Sequence, residues 1–213
     1  ETSKMEVDSS EERCELRFID LAQAGIDCTV TIRYRENDLF SWNIVVESRT
    51  DMVMEWVEFP QITVPEDLKG NGGNSQIFWP ALEGILIDDI SLRESSEWLR
   101  YKEITGQSAG YCGFYPGSCP MQFMAYYDDE RGLYFAAHDR FRNPKTVEFH
   151  RNDDGVALEF RTFCNGATKK YEMNFDMVTA SMKGDWYDAA ELYRSWMEAH
   201  TEMPSKIRDN AGI

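Results

Sequence analysis

The sequence contains three histidines, and His138 is the one whose neighbours suggest chemistry. It ends a hydrophobic segment and is followed directly by Asp139 and Arg140. An imidazole, a carboxylate and a guanidinium at the edge of a sheet could bind a polar ligand or move a proton. His150 and His200 end a strand-like and a helical segment, and for these two we favour a structural role. His138 and Asp139 are therefore candidate site residues, although a purely structural strand end is the favoured interpretation.

Carboxylates are abundant, but none of them lies in a motif that assigns it a catalytic role. Hydrolysis of the two-carboxylate kind needs a facing pair, and a chain with 38 Asp and Glu contains many unrelated pairs. Many of the acids lie in turn-like segments that lack the alternating ligand spacing of a calcium loop. The glycine-rich segment 69–74 lacks the Gly-Lys-Ser/Thr ending of a phosphate loop. We predict no catalytic residue, no metal site and no cofactor in this chain.

Aromatic side chains are a second kind of candidate, because their flat faces can stack on the C–H surfaces of sugars. The chain has 6 Trp, 10 Tyr and 12 Phe, and most of them, such as Trp42 and Trp56, fall on periodic positions that predict core residues. Trp79 and Tyr115 lie outside the periodic segments, and each precedes a proline, which favours extended backbone. This backbone suits a loop at a domain face, where the two rings would contact a carbohydrate or another domain. Packing under a long loop is the favoured interpretation, and the contact is the alternative. The other non-periodic aromatic residues are Trp98, Tyr111 and Phe114.

The charge of the chain excludes one large class of partners. With 22 Lys and Arg against 38 Asp and Glu, the 213 residues carry a formal net charge of −16 at pH 7. Nucleic acids and anionic membrane surfaces are bound through clustered cations, so we predict neither as a partner. The sequence also contains no apolar run of about 18 residues and no opening signal peptide.

The five cysteines are an odd number, and none of them forms a CxxC pair. Cys112 and Cys119 are close enough in sequence to close a loop, but small buried thiols are the favoured interpretation. The number and spacing of the cysteines favour a reducing compartment such as the bacterial cytoplasm.

The elements that must position these residues are mainly strands. From about residue 28 to residue 178 the hydrophobic period is two, and polar turns separate the segments. The Asp-Gly sequence at residues 154–155 predicts a hairpin turn, and residues 164–167 predict another turn before a strand over 171–178. Residues 60–120 are irregular apart from a short helix predicted over 91–104. The pattern predicts an antiparallel meander that folds into a two-sheet sandwich.

The period changes to that of a helix after Gly184. Trp186, Tyr193 and Trp196 fall on one apolar stripe, and Pro204 ends the helical segment. The stripe predicts packing across the sandwich, an interface with another domain, or both on different edges.

Five segments, taken in order, carry a resemblance to a known group of proteins. They are VEFPQI at 57–62, FWPALEG at 78–84, YPG leading into MQFMAYY within 115–127, GLYFAAHD at 132–139 and GDWYDAAELYRSW at 184–196. Together they resemble the N-terminal region of large bacterial proteins related to α-galactosidase-type glycoside hydrolases. The resemblance implies a galactose-mutarotase-like β-supersandwich, followed by a connector helix that enters a catalytic (β/α)8 barrel. It also implies that the catalytic carboxylates lie on that barrel.

We therefore expect a supersandwich over residues 1–183, the connector helix over 184–200, and the start of a downstream barrel at 201–213. The favoured function is a non-catalytic accessory domain of a carbohydrate-active enzyme that supports the barrel and its substrate cleft. Its expected partners are that barrel and a carbohydrate. A carbohydrate-binding module is the alternative, and a sugar mutarotase comes last, since its His and Glu pair cannot be matched onto this chain.

Overall fold

The computed structural model describes residues 2–36, 38–68, 75–88 and 110–200, which form strands and one C-terminal helix. The glycine-rich segment 69–74, the helix predicted over 91–104, Trp98 and the segment 201–213 lie outside the described residues. The strands are β1 (Thr2–Ser9), β2 (Arg13–Leu21), β3 (Ile26–Arg35), β4 (Leu39–Ser48), β5 (Met54–Val64), β6 (Gln76–Trp79), β7 (Ile85–Asp88), β8 (Gly110–Tyr115), β9 (Phe123–Tyr127), β10 (Gly132–His138), β11 (Lys145–Asn152), β12 (Gly155–Thr168), β13 (Lys170–Glu172) and β14 (Asp176–Met182), and the helix is α1 (Trp186–His200). No described helix is long and apolar enough to cross a membrane.

The strands form two antiparallel sheets. The larger sheet has the order β1-β2-β3-β4-β14-β10-β9-β6-β7, with β13 also paired to β4, and the smaller has the order β5-β12-β11-β8. This confirms the predicted antiparallel two-sheet sandwich with a C-terminal helix. The Asp-Gly turn is also confirmed, since Asn152 and Gly155 pair at the end of the β11–β12 hairpin.

The main core lies between the two sheets. Phe135 of the larger sheet meets Phe160 of the smaller sheet edge to face, with ring centroids 5.0 Å apart. Trp79 joins the sheets by hydrogen bonding as well, because its Nε1–H donates to the carbonyl oxygen of Val147 at 3.1 Å. Alternation along each strand directs these residues inwards.

A second core lies on the outer face of the larger sheet, under α1. Tyr193 is buried there against Phe123, with ring centroids 5.1 Å apart, beside Tyr134 and Ala136 of β10. Strands β9, β10 and β14 are therefore covered on both faces, which explains their nearly continuous apolar sequences.

Several details of the sequence prediction are wrong. The range 60–120, predicted to be irregular, contains β6, β7 and β8. Strands begin well before residue 28, because β1 and β2 precede it and carry charged side chains that obscure their alternation. Residues 164–167 lie inside β12, where a register shift against β5 marks an irregularity rather than a turn, and β13 pairs with β4. Trp56 is 47% exposed and lies under the guanidinium of Arg161 instead of in the core.

Candidate functional site

A cleft of about 1030 Å³ lies beside the C-terminal half of α1, and it contains His138. One wall comes from the helix, and the rest comes from β3, β4, β10, β14 and the segments that follow β10 and precede β14. The residues that give the cleft its chemical character are Arg35, Asp176, His138, Phe141, Trp196 and His200.

His138 forms the inner wall of this cleft. Its ring stacks on Trp196 with centroids 4.6 Å apart, and its Nε2 lies 3.0 Å from the hydroxyl oxygen of Tyr134. Burial lowers the pKa of His138 to about 3, and the nearby His200 contributes to this shift. The imidazole is therefore neutral at pH 7, so it can exchange a hydrogen bond with Tyr134 but carries no charge.

Asp139 lies on the opposite side of the strand from His138, because neighbouring residues of a strand point to opposite faces. Its carboxylate is 1% exposed and forms a buried ion pair with Lys145, with Nζ to Oδ2 at 2.7 Å. Arg140 remains exposed, with its guanidinium 4.8 Å above the Phe141 ring. The expected grouping of His138, Asp139 and Arg140 at one site is wrong, since the three side chains diverge.

Lys145 is held by a complete set of partners. Besides Asp139, its ammonium donates to Gln122 Oε1 at 2.8 Å and to the carbonyl oxygen of Asn143 at 2.6 Å. The rings of Tyr115 and Phe175 lie 4.9 and 5.0 Å from the ammonium nitrogen. Burial lowers the pKa of Lys145, and the Asp139 charge opposes that effect. The group is structural, since every Lys145 proton has an acceptor.

The same carboxylate fixes the loop that follows β10. Asp139 accepts hydrogen bonds from the backbone N–H of Phe141 at 2.9 Å and of Asn143 at 2.7 Å. The side-chain amide of Asn143 donates onwards to Asn174 Oδ1 at 3.0 Å, which ties this loop to the segment before β14. Asp139 therefore fixes the backbone of the cleft rim, which carries the Phe141 side chain at 54% exposure.

A polar pair lines the opposite side of the cleft. Arg35 Nη2 lies 3.9 Å from Asp176 Oδ2, and both side chains are partly exposed. Asn43 donates to Asp176 Oδ1 at 3.4 Å, and Arg35 Nε donates to Ser41 Oγ at 3.3 Å. Because the two side chains are 3.9 Å apart and both line the cleft, they can offer hydrogen-bond donors and acceptors to a ligand.

The loop placement predicted for Trp79 and Tyr115 is wrong. Trp79 ends β6 and is 0% exposed, and Tyr115 ends β8 and is 7% exposed. Trp79 packs edge to face on Tyr111 and Phe149 of the smaller sheet. Neither candidate presents a ring face to the surface, and neither lies in the cleft.

The three helix residues singled out from the sequence lie in different environments. Tyr193 is buried, and Trp196 packs between His138 and His200. Trp186 is 38% exposed and stacks on Phe78 with ring centroids 5.8 Å apart. The stripe thus packs across the sandwich and reaches the surface at its N-terminal end.

The outer face of the smaller sheet carries a charged cluster that the sequence prediction missed. Glu148 and Glu159 are directly paired across β11 and β12, and both are at most 2% exposed. His150 Nδ1 lies 3.7 Å from Glu159, and Arg161 Nε lies 3.9 Å from Glu148. Alternation along β11 and β12 places all four on one face and could have identified them.

Glu148→Gln is expected to remove one contribution by which the stability of the protein falls as the pH rises. Burial raises the pKa of Glu148, so the folded protein holds this proton more tightly than the unfolded chain. The free energy of unfolding therefore falls as the pH rises above 4.5, the ordinary pKa of a glutamate. A glutamine cannot ionise, so the variant does not lose this stability. Urea unfolding at about pH 5 and about pH 8 measures the difference.

The matched control for this experiment is Glu55→Gln at an exposed position on β5, which should keep the wild-type slope. Equal slopes for Glu148→Gln and the wild type would contradict the prediction.

The cysteines are free thiols, including Cys112 and Cys119. Cys28, Cys112 and Cys119 are buried, as expected for small core residues, while Cys14 and Cys164 are half-buried. Burial raises the pKa of Cys119 to about 12 and that of Cys28 to about 11. Within the described ranges, no group of three or more His, Cys, Asp or Glu residues is arranged to hold a metal ion.

Solved structures of two glycoside hydrolases share this fold. α-N-acetylgalactosaminidase NagBb from Bifidobacterium bifidum matches as a quadruple mutant with a TM-score of 0.62 and as a GalNAc complex with 0.60, each at 11% identity over 93% of this chain and 31% of that one. The GH36 α-galactosidase AgaB from Geobacillus stearothermophilus matches with a TM-score of 0.52 at 10% identity, over 95% of this chain and 28% of that one.

These matches confirm, at the level of the fold, the resemblance to α-galactosidase-type glycoside hydrolases. The chain spans less than a third of the length of these solved enzymes. No protein-family model and no curated protein matches the sequence.

Proposed function

We propose that this chain is a non-catalytic β-sandwich domain of a larger carbohydrate-active enzyme of the glycoside hydrolase type. The proposal rests on the extent of the fold match. The match covers at least 93% of this chain but less than a third of the length of each solved enzyme. Such coverage is typical of one domain shared by larger proteins. A shared fold alone does not assign chemistry, so the proposal concerns the domain's place in a parent protein.

In this proposal the domain boundaries predicted from the sequence are retained. Residues 1–183 form the sandwich, α1 connects it to the next domain, and residues 201–213 begin a (β/α)8 barrel. Tyr193 and Trp196 anchor the connector on the sandwich, while Trp186 and Tyr187 at its start are 38% and 58% exposed. A helix fixed in this way transmits a defined orientation to whatever follows it.

We do not extend the proposal to mutarotase chemistry. The Nε2 atom of His138 lies within hydrogen-bonding distance of Tyr134, and one face of its ring is covered by Trp196. A histidine acid must also be protonated to give its proton to a sugar, whereas burial holds the pKa of His138 near 3.

The isolated chain is expected to hydrolyse no glycoside. The purified 213 residues, shown to be folded by circular dichroism, should release no nitrophenol above the buffer rate from 4-nitrophenyl α-galactoside or its α-N-acetylgalactosaminide. Turnover that co-purifies with the protein through two different columns would overturn the non-catalytic assignment.

The gene provides an independent test, because the codons after Ile213 should encode a barrel-sized domain with acidic residues at its strand ends.

A further inference from the structure

The cleft beside α1 has the chemistry of a ligand site, whereas the charged cluster on the smaller sheet is sealed. Glu148, Glu159 and His150 in that cluster are each at most 3% exposed. The cleft is open, and Arg35 and Asp176 within it have side chains that are 52% and 35% exposed. Its volume of about 1030 Å³ is at the upper end for small-molecule sites.

The polar side of the cleft suits hydroxyl groups. Arg35 has donors only and Asp176 has acceptors only, and their closest atoms are 3.9 Å apart, beyond hydrogen-bonding distance. A guanidinium and a carboxylate held side by side can each take one of two adjacent hydroxyls. Asn43 and Ser41, which also line the cleft, hold the two side chains by hydrogen bonds, so little ordering is needed on binding.

The apolar side of the cleft offers an aromatic platform. Phe141 is 54% exposed, and Arg140 covers only one face of its ring. Trp196 cannot serve as the platform, because His138 and His200 stack on it at 4.6 and 5.9 Å. The backbone of Phe141 is also held in place, since the buried Asp139 carboxylate accepts its N–H.

The charges within the cleft are balanced, although the chain as a whole carries −16. Arg35 and Arg140 are offset by Glu36 and Asp176, and burial keeps His138 neutral. A balanced cleft favours a neutral ligand over an acidic one.

We propose that this cleft binds a neutral oligosaccharide, with Arg35 and Asp176 holding adjacent hydroxyls and Phe141 stacking on a sugar face. The choice of a sugar over another neutral polyol rests on the proposed function. The volume favours two or more sugar units over a single one.

Isothermal titration of the purified chain with melibiose, maltotriose and cellotriose tests the proposal, and 3′-sialyllactose supplies the acidic comparison. We expect at least one neutral sugar to bind. Phe141→Ala and Asp176→Asn should each weaken that affinity by about tenfold, the size of one stacking or hydrogen-bonding contact.

Trp56→Ala is the matched control for Phe141→Ala. Trp56 is a similarly exposed aromatic residue with an arginine over its ring, but it lies on the smaller sheet. Its replacement should leave the affinity unchanged. Flat heats with all neutral sugars, tighter binding of sialyllactose, or an equal loss in Trp56→Ala would each overturn the proposal.

The outcomes separate this proposal from the one on which it rests. If the chain neither binds sugars nor hydrolyses glycosides, only the proposal that the cleft binds an oligosaccharide is wrong. If the chain both binds sugars and hydrolyses glycosides, only the proposal that it is non-catalytic is wrong.

Discussion

Replacing Asp139 with alanine is expected to lower the free energy of unfolding by about 3–5 kcal/mol, the largest effect of any single change proposed here. The substitution leaves the Lys145 ammonium, which is fully buried, without its counter-charge. It also removes the acceptor for the backbone N–H groups of Phe141 and Asn143. Urea unfolding followed by circular dichroism measures the loss.

Two further variants separate charge from loop geometry. Asp139→Asn keeps an oxygen acceptor for the loop but removes the charge, so it should lie between the wild type and Asp139→Ala. The double variant Asp139→Ala with Lys145→Met removes both charges, and it should recover part of the loss. Asp153→Ala at an exposed hairpin tip should change the stability by no more than about 0.5 kcal/mol. A double variant no more stable than Asp139→Ala alone would show that the buried charge is not the cause.

His138 is expected to oppose folding at acidic pH. Burial holds its pKa near 3 against the ordinary value of 6.5, so the unfolded chain binds this proton more readily than the folded protein. The free energy of unfolding therefore falls as the pH drops below 6.5, by up to about 1.4 kcal/mol per pH unit, until the pH approaches the folded value. Above 6.5 the residue contributes no pH dependence.

Proton NMR offers a direct measurement, because the chain has only 3 histidines. The ring proton of His138, assigned by its absence in His138→Gln, should keep its chemical shift between about pH 8 and about pH 5. His138→Gln should also unfold with a shallower dependence on pH below 6.5 than the wild type. A His138 resonance that titrates near pH 6.5 would contradict the prediction.

The fold could be predicted because hydrophobic alternation is a local property of each strand. The same alternation also contradicts the grouping of His138 with Asp139. Tyr134, Ala136 and His138 point to the helix, so Asp139 must point the other way, towards Lys145. Adjacency in sequence therefore does not bring the two side chains to one site. Trp79 was misplaced for a related reason, since a strand of four residues is too short to show a period.

The cleft itself could not be predicted from the sequence. Its two sides come from contacts between residues far apart in the chain, such as His138 with Trp196 and Arg35 with Asp176. Neither pair has a spacing that marks it. Only the strand order places β3 and β14 next to β4, one on each side of it.

The strand order also determines how late in synthesis the larger sheet can close. Strands β1 to β4 pair with their neighbours in sequence and can form as soon as they emerge. The open edge of β4 then waits for β14, and the bond from Trp42 Nε1 to Thr179 Oγ1 joins residues 137 positions apart. Closing so long a loop before its contacts form slows folding. The newly made chain therefore carries an unpaired strand edge until β13 and β14 have been synthesised.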